Sequence, residues 1–201
     1  MIAALAGLGL ITLLALPWTR HALESVMILH MLVQIPLLAV AGALTATALV
    51  PRWRATLENW NENGISGTLM AAIVSSWWMV PRALDAALAS PTMEVAKFVS
   101  LPLFVGAPLA LSWSRLGPMG RGFVIANVLP MWSVVGWLYL AAPVRVCNFY
   151  LVEDQSVAGA GLLLVSVGLA AAAGCLAFRS RVTNPPGRVA LISADRATDF
   201  D

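Results

Sequence analysis

The sequence predicts an all-α fold: a polytopic, membrane-embedded bundle of about six transmembrane helices with both termini cytoplasmic. Three observations carry that reading. The 201 residues are 60% hydrophobic and only 11% charged, where a soluble domain would be about 25% charged. Mean hydropathy is +0.83. The charged residues gather at a few points, and the apolar stretches between them approach the roughly 20 residues that a helix needs to cross a hydrocarbon core of about 30 Å.

Taken in order, the spans fall near 3–17, 22–50, 65–88, 96–113, 122–143 and 156–178. The first is short and ends at Pro17-Trp18-Thr19-Arg20, so a tight turn must follow before His21. It lacks the basic leader and small-residue cleavage site of a signal peptide, and reads as a retained helix. The third carries Pro81, Arg82 and Asp85 and is expected to bend toward its outer end. Runs such as Leu162-Leu163-Leu164-Val165 do not alternate, which excludes a β-barrel. Glycine and alanine are dense in the sixth span, around Ala158-Gly159-Ala160-Gly161 and from Gly168 to Gly174, and small residues let helices approach closely. Trp18, Trp53, Trp60 and Trp113 mark interfaces, whereas Trp77-Trp78 reads as packed.

Basic residues in short loops are retained in the cytoplasm. The side holding 51–64, 114–121 and the C-terminal segment carries Arg52, Arg54, Arg115, Arg121, Arg179, Arg181, Arg188 and Arg196; the other carries Arg20, Arg82, Lys97 and Arg145. The chain therefore divides into a bundle over 1–178 and a polar cytoplasmic tail over 179–201, whose composition around Pro185-Pro186-Gly187 suits disorder unless a partner holds it. A scattered net charge of +2 argues against nucleic acid. The lipid bilayer and other membrane subunits are the expected partners.

Few groups can carry chemistry. His21 and His30 are nine residues apart on one span, about 13 Å along the axis and on opposite faces. Met27, His30, Met31 and Gln34 are helical neighbours, and thioether with imidazole suits copper(I). Methionine is equally a filler of packed helices, and a lone histidine in a bundle usually bonds a neighbouring backbone or hydroxyl group. Cys147, Glu153 and Asp154 lead into the sixth span; Asp154 either caps a helix starting near Ser156 or meets His21, Cys147 and Met93-Glu94 at an outer metal entrance. Arg82 and Asp85, three apart, are expected to pair with each other. Cys175 reads as a buried apolar thiol, too far from Cys147 for a disulfide. No phosphate-binding, dinucleotide-binding or haem-attachment motif occurs. With no second intramembrane carboxylate to continue a relay, a pump or channel is disfavoured.

Two segments carry a family resemblance. Val26-Met27-Ile28-Leu29-His30-Met31-Leu32-Val33, followed by Pro36-Leu37-Leu38 and Gly42, resembles the histidine–methionine motif of the CtaG family, membrane proteins of caa3-type cytochrome c oxidase assembly. Asp154-Gln155-Ser156-Val157-Ala158-Gly159 resembles that family's Asp-Gln motif. Val26 and Leu29 stand where the first motif has histidine and glutamine. The resemblance implies a non-enzymatic protein of a bacterial inner membrane that assists copper delivery to a haem–copper oxidase. Met27, His30 and Met31 would then be copper ligands, with His21, Cys147 and Asp154 nearer the entrance. The alternative is a non-catalytic accessory subunit of a respiratory or copper-enzyme complex.

Overall fold

The computed structural model describes residues 2–48, 56–57 and 59–183. The positions of Arg52, Trp53, Arg54, Pro185-Pro186-Gly187, Arg188 and Arg196 lie outside the described residues, as does the side chain of Arg181. The described residues contain no strand and form the helices α1 (Ile2–Ala15), α2 (Pro17–Glu24), α3 (Met27–Thr45), α4 (Ile65–Trp78), α5 (Pro81–Ala89), α6 (Pro91–Trp113), α7 (Pro118–Ala141) and α8 (Val152–Thr183), with Thr56, Leu57, Asn59 and Trp60 also helical. Pro17, Pro81, Pro91 and Pro118 each open a helix, where the missing N–H costs nothing and the fixed φ is already helical.

Helices α3, α6, α7 and α8 are long and apolar enough to cross a membrane. The α1–α2 pair is bent by 70° and makes a fifth candidate if it counts as one span. The third expected span, 65–88, is not continuous. Its apolar part is α4, only 14 residues, and the chain breaks at Met79–Val80 before the amphipathic α5. Fourteen residues rise about 21 Å, short of the roughly 30 Å of a full crossing. Helix α8, the sixth expected span, outruns its expected bounds: it begins at Val152 rather than near Ser156 and continues to Thr183, past the expected start of the tail at 179.

Successive legs alternate in direction. Gly67 of α4 lies against the Ser112 side chain of α6, while Trp78 donates its indole N–H to Ser100. In α7 and α8, Gly136 faces Gly159. A Cβ on either glycine would come within 3 Å of the other's carbonyl oxygen, so this seam closes only without side chains there. Helices α3 and α6 instead run the same way and cross tightly, Gly42 against Pro102 and Gly106 against the Ala39 carbonyl. One end of the bundle thus holds α2, α5 and the 142–151 connection; the opposite end holds the α3–α4 and α6–α7 connections.

Both central helices are locally widened. His30–Gln34 in α3 and Leu101–Gly106 in α6 adopt π-helical turns. Pro36 and Pro102 account for them: each removes an N–H and crowds the carbonyl four residues back, and a wider turn absorbs the misfit. The core between these helices contains Met27, Met31, Leu38, Leu84, Leu101 and Leu162.

Two sequence expectations are corrected by packing. Cys175 is exposed on the flank of α8, because the second half of that helix, with open space at Gly168 and Gly174, faces away from the bundle. In the Trp77-Trp78 pair only Trp78 is packed; Trp77 is 59% exposed.

Candidate functional site: a buried ionic cluster at the α2 end

The chemistry gathers around Lys97, the sole lysine of the sequence. It sits two turns into α6 and is completely buried. Its ammonium donates to Glu24 Oε1 at 2.6 Å, to Gln34 Oε1 at 3.0 Å and to His30 Nε2 at 3.1 Å. An ammonium has three donors, and here three acceptors meet them.

Donor counting then fixes the rest. With Nε2 accepting from Lys97, the imidazole proton lies on Nδ1, which donates to Tyr150 Oη at 2.8 Å. The Tyr150 hydroxyl donates onward to the Glu24 carbonyl at 2.9 Å. That carbonyl is available because α2 stops at Glu24 and Val26 is extended before α3 begins. Gln34 Nε2 donates to Glu24 Oε1 at 3.1 Å, so a single carboxylate oxygen takes two hydrogen bonds. The π-turn carries His30 at its start and Gln34 at its end, and both side chains turn inward toward α6. Nearer the surface, Arg20 reaches Glu94 Oε1 at 2.7 Å and Glu24 Oε2 at 3.9 Å.

A second set of bonds braces the 142–151 connection. Gln155 accepts from the Val146 N–H at 2.8 Å and donates to the Tyr139 carbonyl at 3.1 Å. Asp85 Oδ2 accepts from both the backbone and side-chain N–H groups of Asn148, each at 2.9 Å. The expected Arg82–Asp85 pair therefore does not form: Asp85 is buried and turned toward Asn148, while Arg82 is exposed. Cys147 is buried, with Sγ 3.9 Å from the Tyr139 hydroxyl and 4.0 Å from the Pro81 carbonyl. Burial, reinforced by the Asp85 carboxylate and partly offset by the Tyr139 hydroxyl, pushes its thiol up to about 11. Burial, with Glu24 next, also raises the Tyr150 phenol above its ordinary value.

Of the six expected metal ligands, Met27, His30 and Met31 are all fully buried on α3. His21 is exposed on α2 and makes none of the cluster's bonds; Asp154 is half-buried in the first turn of α8. Among the described residues, no three of the His, Cys, Asp and Glu side chains converge as a metal-binding set. Sequence reasoning does not place Lys97, Glu24 and Tyr150 in the site. The cluster partners of Lys97 and Tyr150 are 63 to 126 residues away in the chain, and by position alone Lys97 is an interfacial residue at the start of a span. Its being the only lysine beside eleven arginines is the available signal. Cavities lie elsewhere. One of about 480 Å³ is lined by Trp60, Phe104 and Leu111 at the opposite end, and one of about 220 Å³ by Thr68, Met79, Asn127 and Met131.

Fold and site together define a polytopic helical membrane protein with a closed ionic cluster between α2, α3, α6 and the 142–151 connection. No family model matches the chain, and no curated protein or solved structure matches it.

Proposed function

We propose that this protein is a non-enzymatic accessory component of a respiratory or copper-enzyme complex in a bacterial inner membrane. The observation that supports this reading is the closure of the cluster: Lys97, His30, Gln34 and Tyr150 engage one another and Glu24. A fully satisfied buried network rigidifies and specifies one packing, which is what a scaffold needs. The lateral faces supply the other half. Val134, Trp137, Leu164, Val167 and Leu176 are all more than 60% exposed, surfaces suited to lipid or to neighbouring subunits.

The orientation follows from charge. Arg20 and Lys97, two of the four basic residues on the α2 side, are offset by Glu24 and Glu94. The opposite side carries eight of the twelve basic residues, and the positive-inside rule puts the richer side in the cytoplasm. Both termini are cytoplasmic in this arrangement.

A second reading is CtaG-like copper delivery to, or assembly of, a haem–copper oxidase. Met27 and Met31, both fully buried beside His30 on one helix, favour it. Gentle purification separates the two. Stoichiometric co-migration with oxidase subunits and no copper supports the accessory subunit. Copper(I) that is lost in His30→Ala, without a permanent partner, supports delivery.

A further inference from the structure

We infer that Glu24, Gln34 and His30 form a binding site for a borderline divalent metal ion, in which the tethered ammonium of Lys97 stands in the place of the metal. The inference goes beyond the accessory role and does not depend on which complex the protein serves.

The geometry carries it. A carboxylate oxygen, an amide oxygen and an imidazole nitrogen converge on one cationic nitrogen at 2.6, 3.0 and 3.1 Å. An ammonium and a metal ion ask the same of their surroundings: lone pairs aimed at one point, with negative charge among them. Oxygen and imidazole donors suit zinc(II) or cobalt(II), whereas copper(I) prefers sulfur.

The histidine is already prepared as a ligand. Its Nδ1–H is fixed on the Tyr150 hydroxyl, which is fixed in turn on the Glu24 carbonyl. Metal-bound histidines show this outer bond, because it sets the tautomer and aims the other nitrogen. Here the aimed nitrogen, Nε2, points at Lys97.

Lys97 also has somewhere to go. Glu94 lies three residues before it on α6, within reach along the helix surface. Glu94 Oε1 is buried and accepts no hydrogen bond, although the Arg20 guanidinium stands 2.7 Å from it as an ion pair. Four methylenes let the ammonium swing from one carboxylate to the other. Entry of a metal would displace Lys97 toward Glu94 and leave Glu24 neutralised throughout.

The test uses the full chain in detergent with cobalt(II) as the probe, read by its visible absorption and by calorimetry. Lys97→Met should bind one cobalt(II) at least about 100-fold more tightly than the wild type, since it leaves a buried carboxylate without its cation. Adding Glu24→Gln and His30→Ala to that variant should abolish the gain. If Lys97→Met is too unstable to titrate, Lys97→Gln should show the same gain. In either variant, zinc(II) should raise the thermal midpoint, and should not do so once Glu24 and His30 are also replaced. A folded variant that binds cobalt(II) no better than the wild type overturns the inference. So does binding that survives the loss of Glu24 and His30. Failure of these arms leaves co-migration with a partner complex untouched, so the two ideas fall separately.

Discussion

The ammonium of Lys97 lies 2.6 Å from Glu24 Oε1, tying α6 to the end of α2 across 73 positions of sequence. Lys97 is fully buried and the Glu24 side chain only 12% exposed. Removing one partner of such a pair leaves an uncompensated charge in an apolar interior. Lys97→Ala is therefore expected to destabilise the protein by about 3–5 kcal/mol. Pairing Lys97→Met with Glu24→Gln should cost less than the two single changes added together, because neither charge is then stranded. Thermal unfolding in one detergent measures all four proteins, and strict additivity would mean the pair is not coupled.

Tyr150 makes the same point with a neutral group. Its hydroxyl accepts from His30 and donates to the Glu24 carbonyl. Tyr150→Phe should cost about 1–3 kcal/mol, the penalty for leaving buried polar groups unmet. An unchanged unfolding midpoint would show that the relay contributes nothing.

The crossing of α3 and α6 depends on the absence of side chains. A Cβ at Gly106 would overlap the Ala39 carbonyl, a backbone atom that cannot rotate away. Gly106→Ala should cost about 1–3 kcal/mol through forced backbone shifts. Gly168→Ala on α8 meets nothing within 4 Å, and its unfolding midpoint should equal or exceed that of the wild type.

The two cysteines should behave oppositely. Cys175 is exposed and Cys147 buried, so a membrane-permeant maleimide at pH 8 should label Cys175 first and Cys147 only on unfolding. Alkali tests Cys147 further. Its folded value of about 11 lies above the ordinary 9.0. The unfolded chain therefore loses this proton first, and the associated stability is complete below pH 9 and falls away toward pH 11. A rise of that size corresponds to about 2–3 kcal/mol. Tyr150, also raised, adds a loss in the same direction. Cys147→Ala should flatten the decline between pH 9 and 11, and an identical slope in both proteins would contradict the burial argument.

Much of the scaffold was legible because lipid-compatible helices announce themselves by length. The starts at Pro81, Pro91 and Pro118 were not, because hydropathy alone sets no sharp boundary where polar residues open a helix. The features that stayed hidden each had a physical reason. Cys175 has the same apolar neighbours whether it faces protein or lipid, so composition could not tell flank from core. Asp85 had Arg82 at helical spacing, yet a loop 63 positions away offered two N–H donors to its inward face. Local spacing with Met27 and Met31 singles out His30 as a candidate. Its actual partners, Lys97 and Tyr150, come from other parts of the chain, and only packing could bring them together.

The widened turn at His30–Gln34 holds one residue more than a regular helix would use over the same rise. Deleting a single residue there would let α3 relax into an ordinary helix without shortening its reach. The wide turn absorbs its extra residue within a single revolution, so Met27 before the deletion and Pro36 and Gly42 after it would keep their present faces. Spacing along this helix is thus a poor ruler: two chains can differ by one position in α3 and still present the same face to α6.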